Sequence, residues 1–454
     1  MRTGNLERGA TSERHGRVLA LSPSQMGMYF HHIHSRNSVY LEQLTCEIAG
    51  PLDIGIACAC LEALVDRHSI LRTVFTIKAP RGLRQVALPL TSLDLELVDL
   101  TQVDDQDGAV DALLRSEAAL NLDLSRSASR CKLLRLGAER FVFVWTYHHI
   151  LLDSWTLLLL QQQFTELYLQ ALQNRPATTT ASYPQYWEYV AWTQACDRQR
   201  TLEYWRGYLG KAKSSFPMSL PSETVAENTA VTAGELPASL TELLANLQAS
   251  SRTSAASVFL AAWSTYSLGR SGRSENIVGC VYANRLIPLK AAGKIAGLFA
   301  NSLPIRSQHG TTATQHIAGI HREMMQWPRY AWISLSEIMA SAGMTVYDIS
   351  SVVNFSIDQP DIENEHSRQL PIRIGNIRYR EQAHFPVLEV FLSGDRPRLS
   401  VRYDRRRDTY DADDMIGGLE RILTAFRDSP DLPLGQLARP KLESGALSAI
   451  DFAF

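Results

Sequence analysis

An apolar strand that runs directly into two histidines and an aspartate is the feature that most constrains this chain. Residues 141–147 (FVFVWTY) are β-branched and aromatic and predict a buried strand. Residues 148–153 (HHILLD) follow at once, and residues 155–167 predict a helix whose N-cap is either Asp153 or Ser154. Because successive side chains at a strand end point to opposite faces, one histidine can face a cavity while the other faces the protein body. We therefore expect a site at this turn, in which only one histidine acts as a base.

Two other interpretations of the histidine pair stay open at this point, because such a pair can also be structural or bind a metal. Metal binding is weakened by the absence of further His or Cys residues at ligand spacing nearby in the sequence. A second double histidine at residues 31–34 (HHIH) has Arg36 where the aspartate would stand, and we expect it at a helix end or in a loop.

The composition is that of an ordinary soluble globular protein. Its 454 residues allow two or three domains, with 45% hydrophobic and 20% charged residues. The formal net charge of −2 gives no basic field for nucleic acid or an anionic membrane. No run reaches the ~18–20 apolar residues of a membrane span, and the polar N-terminus has no secretory signal. We expect a cytoplasmic protein.

The cysteines agree with a reducing compartment, because they are scattered and form no CxxC pair. They are Cys46, Cys58, Cys60, Cys131, Cys196 and Cys280.

Alternating helix and strand patterns on both sides of one linker predict an α/β (α+β) fold with two lobes. The Pro/Thr/Ser-rich linker spans residues 175–184. We expect a flexible lead at 1–17, an N-terminal lobe at 18–178, a C-terminal lobe at 179–438 and a tail at 439–454. Predicted helices cover 54–65, 109–120, 186–192, 254–268 and 412–427, and predicted strands cover 72–77, 93–97, 277–281, 352–355, 387–392 and 399–403.

Several further segments, in order along the chain, resemble the motifs of one family. They are residues 21–30 (LSPSQMGMYF), 66–73 (DRHSILRT), 147–155, 186–192 (YWEYVAW), 295–306 (IAGLFANSLPIR), 347–355, and the pairs 403–404 and 410–411. By these motifs the chain is identified as a member of the condensation domains of nonribosomal peptide synthetases, within the chloramphenicol-acetyltransferase-like acyltransferase superfamily. The resemblance covers about residues 19–426.

The resemblance implies a fold and roles for four residues. The fold would be two chloramphenicol-acetyltransferase-like lobes in a V-shaped pseudodimer, with a central active-site tunnel open at both ends. His149 would be the catalytic histidine that faces the tunnel, and His148 a structural one. Asp153 would pair with Arg285 rather than orient His149 as a triad member.

The resemblance also implies a condensation enzyme, which transfers an acyl or peptidyl group from a carrier-protein phosphopantetheine thioester to an amine or hydroxyl acceptor. The product would be an amide or ester in nonribosomal peptide or hybrid polyketide biosynthesis. The chemistry agrees, because a thiolate leaves readily and histidine suits general-base work near its ordinary pKa of ~6.5. We expect no metal or organic cofactor of its own, and a monomer. With neither an adenylation signature nor a carrier motif in the chain, we expect a free-standing enzyme, and the alternative of a piece cut from a larger synthetase stays open.

One departure from the family pattern concerns the residue after the aspartate, where Ser154 replaces the usual glycine. The substitution is either tolerated or changes the acceptor channel, which makes Ser154 and its neighbour Trp155 candidate acceptor-channel residues. Two alternatives to condensation stay open: a non-catalytic module that recruits partner enzymes, and an epimerising relative. The tail at 439–454 is either a disordered end or a docking segment.

Overall fold

The computed structural model describes residues 17–34, 40–78, 82–89, 95–175, 183–210, 229–356, 367–380, 386–392, 397–406 and 409–438. Within them the strands are β1 Arg17–Leu19, β2 Leu41–Ala49, β3 Thr73–Lys78, β4 Gly82–Ala87, β5 Leu95–Asp99, β6 Ser129–Arg135, β7 Arg140–His148, β8 Thr229–Glu235, β9 Glu275–Tyr282, β10 Asn301–Gln308, β11 Val352–Phe355, β12 Arg373–Arg380, β13 Val387–Phe391 and β14 Arg398–Asp404. The α-helices are α1 Pro23–His34, α2 Ile54–Arg67, α3 Gln106–Ala118, α4 Ser154–Leu172, α5 Tyr186–Ala195, α6 Arg198–Leu209, α7 Ala238–Ser251, α8 Ala255–Ser271, α9 Ala313–Tyr330, α10 Leu335–Ser341, α11 Ala412–Asp428 and α12 Leu434–Leu437.

These strands form three sheets. A five-stranded sheet has the order β12-β2-β7-β6-β5, a six-stranded sheet has the order β10-β9-β11-β13-β14-β8, and a three-stranded sheet has the order β1-β4-β3. The two larger sheets each have their own hydrophobic core with helices packed against it. The predicted mixed α/β class is confirmed.

The central strand of the five-stranded sheet, β7, is buried on both faces, as its unbroken apolar run predicts. Phe141 and Tyr147 belong to the core that includes Leu157 of α4. Val142 and Val144 belong to a second cluster, on the α3 side. The turn with the two histidines therefore lies at the carboxyl end of a strand whose position is fixed from both sides.

Segments that follow the predicted linker at 175–184 enter the core of the first lobe. Strand β12 pairs antiparallel with β2 and forms the edge of the five-stranded sheet. Tyr186 of α5, together with Ile295 and Phe299, is buried in the first lobe's core. The predicted lobe boundary at 178/179 falls within 176–182, outside the described residues, and stays a prediction.

Most predicted elements are confirmed, with ends shifted by a few residues. The predicted strand at 352–355 is β11, and the predicted helix at 412–427 is α11, which ends one residue later. The predicted strands at 387–392 and 399–403 are β13 and β14, which pair antiparallel. The predicted lead at 1–17, except its last residue, and the predicted tail at 439–454 lie outside the described residues.

In the part of the chain that the structure describes, no helix combines the length and apolarity needed to cross a membrane. Among the same residues, no group of three or more His, Cys, Asp or Glu side chains could hold a metal ion. All six cysteines are free thiols.

Two adjacent glycines in α11 provide a test of the second lobe's packing. A Cβ at the buried Gly418 would lie 2.5 Å from the Tyr266 ring, whereas a Cβ at the exposed Gly417 would meet nothing within 4 Å. We expect Gly418→Ala to lower the free energy of unfolding by about 1–3 kcal/mol through overpacking. Gly417→Ala should instead raise it by up to about 1 kcal/mol through helix propensity. Denaturant unfolding measures both, and equal effects at the two positions would contradict the packing.

Candidate active site

The turn between β7 and α4 is shaped by Asp153. This residue has extended backbone angles (φ −116°, ψ 172°), and its Oδ1 accepts the Thr156 N–H at 2.9 Å, so Asp153 is the N-cap of α4. Of the two N-cap residues that the sequence allowed, Ser154 is not the cap but the exposed first residue of the helix. Since a helical position has an ordinary negative φ, glycine's backbone freedom is not needed there.

His148 is buried and packed. Its Nδ1 accepts the Ile150 N–H at 3.1 Å, and its ring lies edge-on to His32 with centroids 5.0 Å apart. Burial lowers the pKa of His148 well below its ordinary value, and the neighbouring His32 and His149 act in the same direction. The lowered pKa favours the neutral ring, and the structural role of His148 stays a prediction.

His149 is partly exposed, with 25% of its side chain accessible. Its Nδ1 lies 2.8 Å from the Leu152 carbonyl oxygen and 3.4 Å from Glu42 Oε1. A carbonyl oxygen can only accept, so Nδ1 carries the proton in the neutral ring and the lone pair lies on Nε2. A general base that accepts a proton on Nε2 requires this tautomer.

Glu42 is a site residue that the sequence analysis missed. Its side chain is only 12% exposed, and it lies on β2 directly opposite Tyr147 of β7. The signal was present in the alternation of β2, because Glu42 is the one charged residue on a face continued by Leu44, Cys46 and Ile48. An acidic side chain at the end of an apolar face marks a site rather than a core.

Asp153 and Arg285 form the buried ion pair that the resemblance implies. Arg285 Nη2 lies 2.8 Å and 3.0 Å from the two carboxylate oxygens, and both side chains are under 5% exposed. The amides of Phe299 and Ala300 donate to Asp153 Oδ2 at 2.9 Å and 3.1 Å. Within the part of the chain that the structure describes, the contacts of Asp153 do not include His149.

The charge of Asp153 is maintained by these partners. Burial alone would raise the pKa of its carboxyl, but the Arg285 guanidinium and the N–H groups of Phe299 and Thr156, with the Thr156 hydroxyl, outweigh it and lower the pKa. Asp153 is therefore a permanent anion at neutral pH.

Arg285 fixes the loop of residues 292–299 as well as the aspartate. Its Nη1 donates to the carbonyls of Ala292 and Ile295 at 3.1 Å and 2.6 Å, and its Nη2 donates to Gly297 O at 3.0 Å. The guanidinium lies 3.9 Å from the centre of the Phe299 ring. One arginine thus holds a loop of the second half of the chain against the start of α4.

Thr156 and Gly297 complete this junction, and the sequence analysis identified neither role. The Thr156 hydroxyl lies 2.8 Å from Asp153 Oδ1 and from Gly297 O, and it accepts the Gly297 N–H at 3.1 Å. Gly297 has a φ of +149°, and a Cβ there would lie 2.0 Å from the Tyr186 ring. Only glycine fits this close approach.

Motifs that are distant in sequence converge on the turn. Gln25 Nε2 donates to Ile150 O at 3.1 Å. The Tyr186 hydroxyl donates to Leu298 O at 2.7 Å and lies 3.0 Å from Ser22 Oγ. The motifs at 21–30, 186–192 and 295–306 therefore build the surroundings of residues 148–153.

Trp155 connects α4 to the second half of the chain. Its indole N–H donates to Gly293 O at 3.0 Å while 45% of the residue remains exposed. Ser154 lies beside it and is also exposed. The acceptor-channel role of both residues stays a prediction.

The second double histidine lies at the end of α1, as predicted. His31 Nδ1 is 2.8 Å from the Tyr40 hydroxyl, and His32 packs on His148. The ring of His32 therefore packs against the residue that begins the turn, His148.

Comparison with known proteins identifies the same family over nearly the whole chain. A family model described as Condensation domain matches residues 16–445. Surfactin synthase subunit 3 of Bacillus subtilis (strain 168) is 24% identical over 429 residues, which cover 92% of this chain and 33% of that protein. Gramicidin S synthase 2 of Brevibacillus brevis is 23% identical over 91% of this chain and 10% of its own length. The chain spans a third or less of these relatives.

Solved structures show the same two-lobe fold. A mutant of the starter condensation domain of rhizomide synthetase RzmA, in complex with C8-CoA, has a TM-score of 0.71 at 18% identity and covers 92% of this chain and 96% of its own. The condensation domain from the Monacolin K polyketide synthase MokA has a TM-score of 0.72 at 17% identity and covers 92% and 100%.

The Asp153–Arg285 pair predicts a large loss of stability when one charge is removed. We expect Asp153→Asn to lower the free energy of unfolding by about 3–5 kcal/mol, because it leaves Arg285 buried without its counter-ion. The exposed pair Arg427–Asp428 offers a matched control, and Asp428→Asn should leave the Tm unchanged. Calorimetry at pH 7 measures both.

The same variant tests the acid dependence. A carboxyl whose folded pKa is lowered stabilises the protein above the pKa of an unfolded aspartate, about 3.9, and this contribution is lost as pH falls through the folded value. The stability difference between wild type and Asp153→Asn should therefore shrink below about pH 4. A difference that is constant from pH 7 to pH 3 would contradict the ion-pair account.

Proposed function

The chain belongs to the condensation domain family, and on this premise we propose that it transfers an acyl or peptidyl group from the phosphopantetheine thioester of a carrier protein to an amine or hydroxyl acceptor. The family occurs in the synthetases that make antibiotics and other nonribosomal peptides, and amide-forming acyl transfer is its general reaction. The carrier-bound donor, the ester option and a monomeric state are parts of the proposal. So is the absence of a resident cofactor, because the phosphopantetheine belongs to the carrier.

The observation that carries the proposal is the orientation of His149. Its Nδ1 is committed to Leu152 O, and a quarter of its side chain is accessible. His148 is only 1% exposed, so it cannot reach a substrate and act as the general base. A partly accessible imidazole with its lone pair on Nε2 is the group that an attacking amine needs.

The proposed reaction is a single acyl transfer. The acceptor nitrogen attacks the thioester carbonyl carbon, and His149 Nε2 accepts the proton that the nitrogen loses. The carbon–sulfur bond then breaks, the thiolate leaves, and the proton returns from the imidazolium to the sulfur. The new carbon–nitrogen bond replaces the carbon–sulfur bond, so atoms and charge balance.

Glu42 has a supporting role in this proposal. When His149 holds the proton, the ring is positive, and a mostly buried carboxylate 3.4 Å from Nδ1 stabilises that charge. Asp153, by contrast, is committed to Arg285 and acts on the shape of the turn. We assign Glu42, rather than Asp153, as the acidic partner of the catalytic histidine.

The first prediction concerns His149. We expect His149→Ala to lower kcat by about 10²–10⁴-fold, since it removes the general base. The Tm should fall only slightly, because the hydrogen bond to Leu152 O is lost. His34→Ala is the matched control, because His34 also directs Nδ1 to a backbone carbonyl but lies exposed on α1. Intact-mass detection of acyl transfer from loaded carrier proteins to a panel of amines and alcohols measures the activity.

The outcomes of that assay separate the candidate functions. Transfer by wild type and His34→Ala, but not by His149→Ala, supports the proposal and identifies the acceptor class. Carrier binding without any transfer by wild type would favour a recruitment module. Exchange of the substrate α-proton with solvent, in place of transfer, would favour an epimerising enzyme.

The second prediction concerns Glu42. We expect Glu42→Gln to lower kcat about tenfold with little change in KM, because the carboxylate acts on a charge that forms only during reaction. Glu47→Gln on the same strand is the control, because Glu47 is exposed and contacts Asn376 instead. Equal activity of the two variants would remove Glu42 from the mechanism.

A further inference from the structure

An apolar cavity of about 120 Å³ lies inside the first lobe, between the five-stranded sheet and helices α2 and α4. Its floor includes Leu44, Cys46, Phe143 and Trp145. Its roof includes Ala57 and Leu64 of α2, and Leu157 and Leu160 of α4. The mechanism uses none of these side chains.

The lining selects an uncharged and apolar ligand. Among the described residues that line the cavity, none is Asp, Glu, Lys, Arg or His, and the few polar ones include Ser129 and Gln161. A charged group that entered would lose its hydration without a partner. The transfer of a hydrocarbon chain from water into the cavity would instead have a favourable free energy.

The strand register places this cavity next to His149. Tyr147 is paired with Glu42 on one side and with Ser129 on the other, so the three residues form one row across the sheet. Glu42 in this row contacts His149, and Ser129 in the same row lines the cavity.

The next row lies two residues further along the strands and consists of Leu44, Trp145 and Cys131, all of which line the cavity. Successive rows are about 6.7 Å apart. The cavity therefore begins at the row of the catalytic histidine's partner and extends away from it, under α4.

We propose that this cavity holds the apolar tail of the donor acyl group, so that the substrate is an aliphatic acyl thioester with about six carbons beyond the carbonyl. The length follows from the volume, because an apolar cavity of roughly 150 Å³ holds a benzene molecule, with its six carbons. The proposal rests on the proposed acyl transfer, and it names the chemical class of the donor.

Calorimetric titration of the whole chain with acyl-pantetheine thioesters from acetyl to decanoyl tests the proposal without requiring turnover. We expect the affinity to rise about four-fold for each added methylene, the free energy of its burial, until the cavity is filled. Beyond about seven carbons in the acyl group, which are the carbonyl carbon and about six tail carbons, the affinity should level off. An affinity that does not depend on chain length would overturn the proposal.

Two alanines of α2 give a matched pair of variants. Ala57 lines the cavity, whereas Ala59 is exposed on the same helix. Ala57→Leu should shorten the chain length at which affinity levels off by one or two carbons, and Ala59→Leu should match wild type. If circular dichroism shows Ala57→Leu to be unfolded, Cys46→Phe fills the same cavity from the sheet side. A folded cavity variant with the wild-type length profile would overturn the proposal.

The titration tests the cavity assignment and the transfer assay tests the acyltransferase function, so either proposal can be contradicted without the other. Length-dependent binding without transfer to any acceptor would support the cavity assignment and contradict the acyltransferase function. Equal transfer from acetyl and octanoyl donors would support the acyltransferase function and contradict the cavity assignment.

Discussion

The buried ion pair between Asp153 and Arg285 is the interaction on which the rest of the site depends. It joins residues 132 positions apart in the chain, with both charges removed from solvent. Such burial is tolerated only where further hydrogen bonds compensate the lost hydration. Here the backbone of residues 292–300 supplies them, by carbonyls to the guanidinium and amides to the carboxylate. The position of that loop relative to α4, and so the surroundings of His149, follows from this compensation.

The two adjacent histidines have different environments because the strand ends between them. His148 is still part of β7 and keeps the alternation of the strand, which directs its ring into the protein. His149 lies after the strand, and its ring is oriented by the carbonyl of Leu152, three residues further along the turn. Identical side chains thus acquire a neutral packed state in one case and a partly exposed position in the other. The distinction arises from backbone geometry and not from residue type.

Local features of the site could be predicted from the sequence, and long-range ones could not. The β7 strand, the turn and α4 follow from periodicity and capping, although periodicity did not decide between Asp153 and Ser154 as the cap. Arg285 was found only through the family resemblance. Glu42, Thr156 and Gly297 were missed because their roles depend on strand register and on the approach of a loop 141 residues away. The cavity depends on the packing of two helices on a sheet, which no local pattern encodes.

Strand β12 has a consequence for any attempt to exchange parts of this chain with those of a relative. A crossover in the linker at 175–184 treats the two halves as separate modules, yet β12 comes from the second half and completes the sheet of the first. A foreign β12 would have to match the hydrogen-bond register of β2, including the irregularity between Gly375 and Arg378. Recombination that keeps residues 373–380 together with β2 preserves a native sheet edge. The segments that must be exchanged together, β2 and β12, are therefore far apart in the sequence.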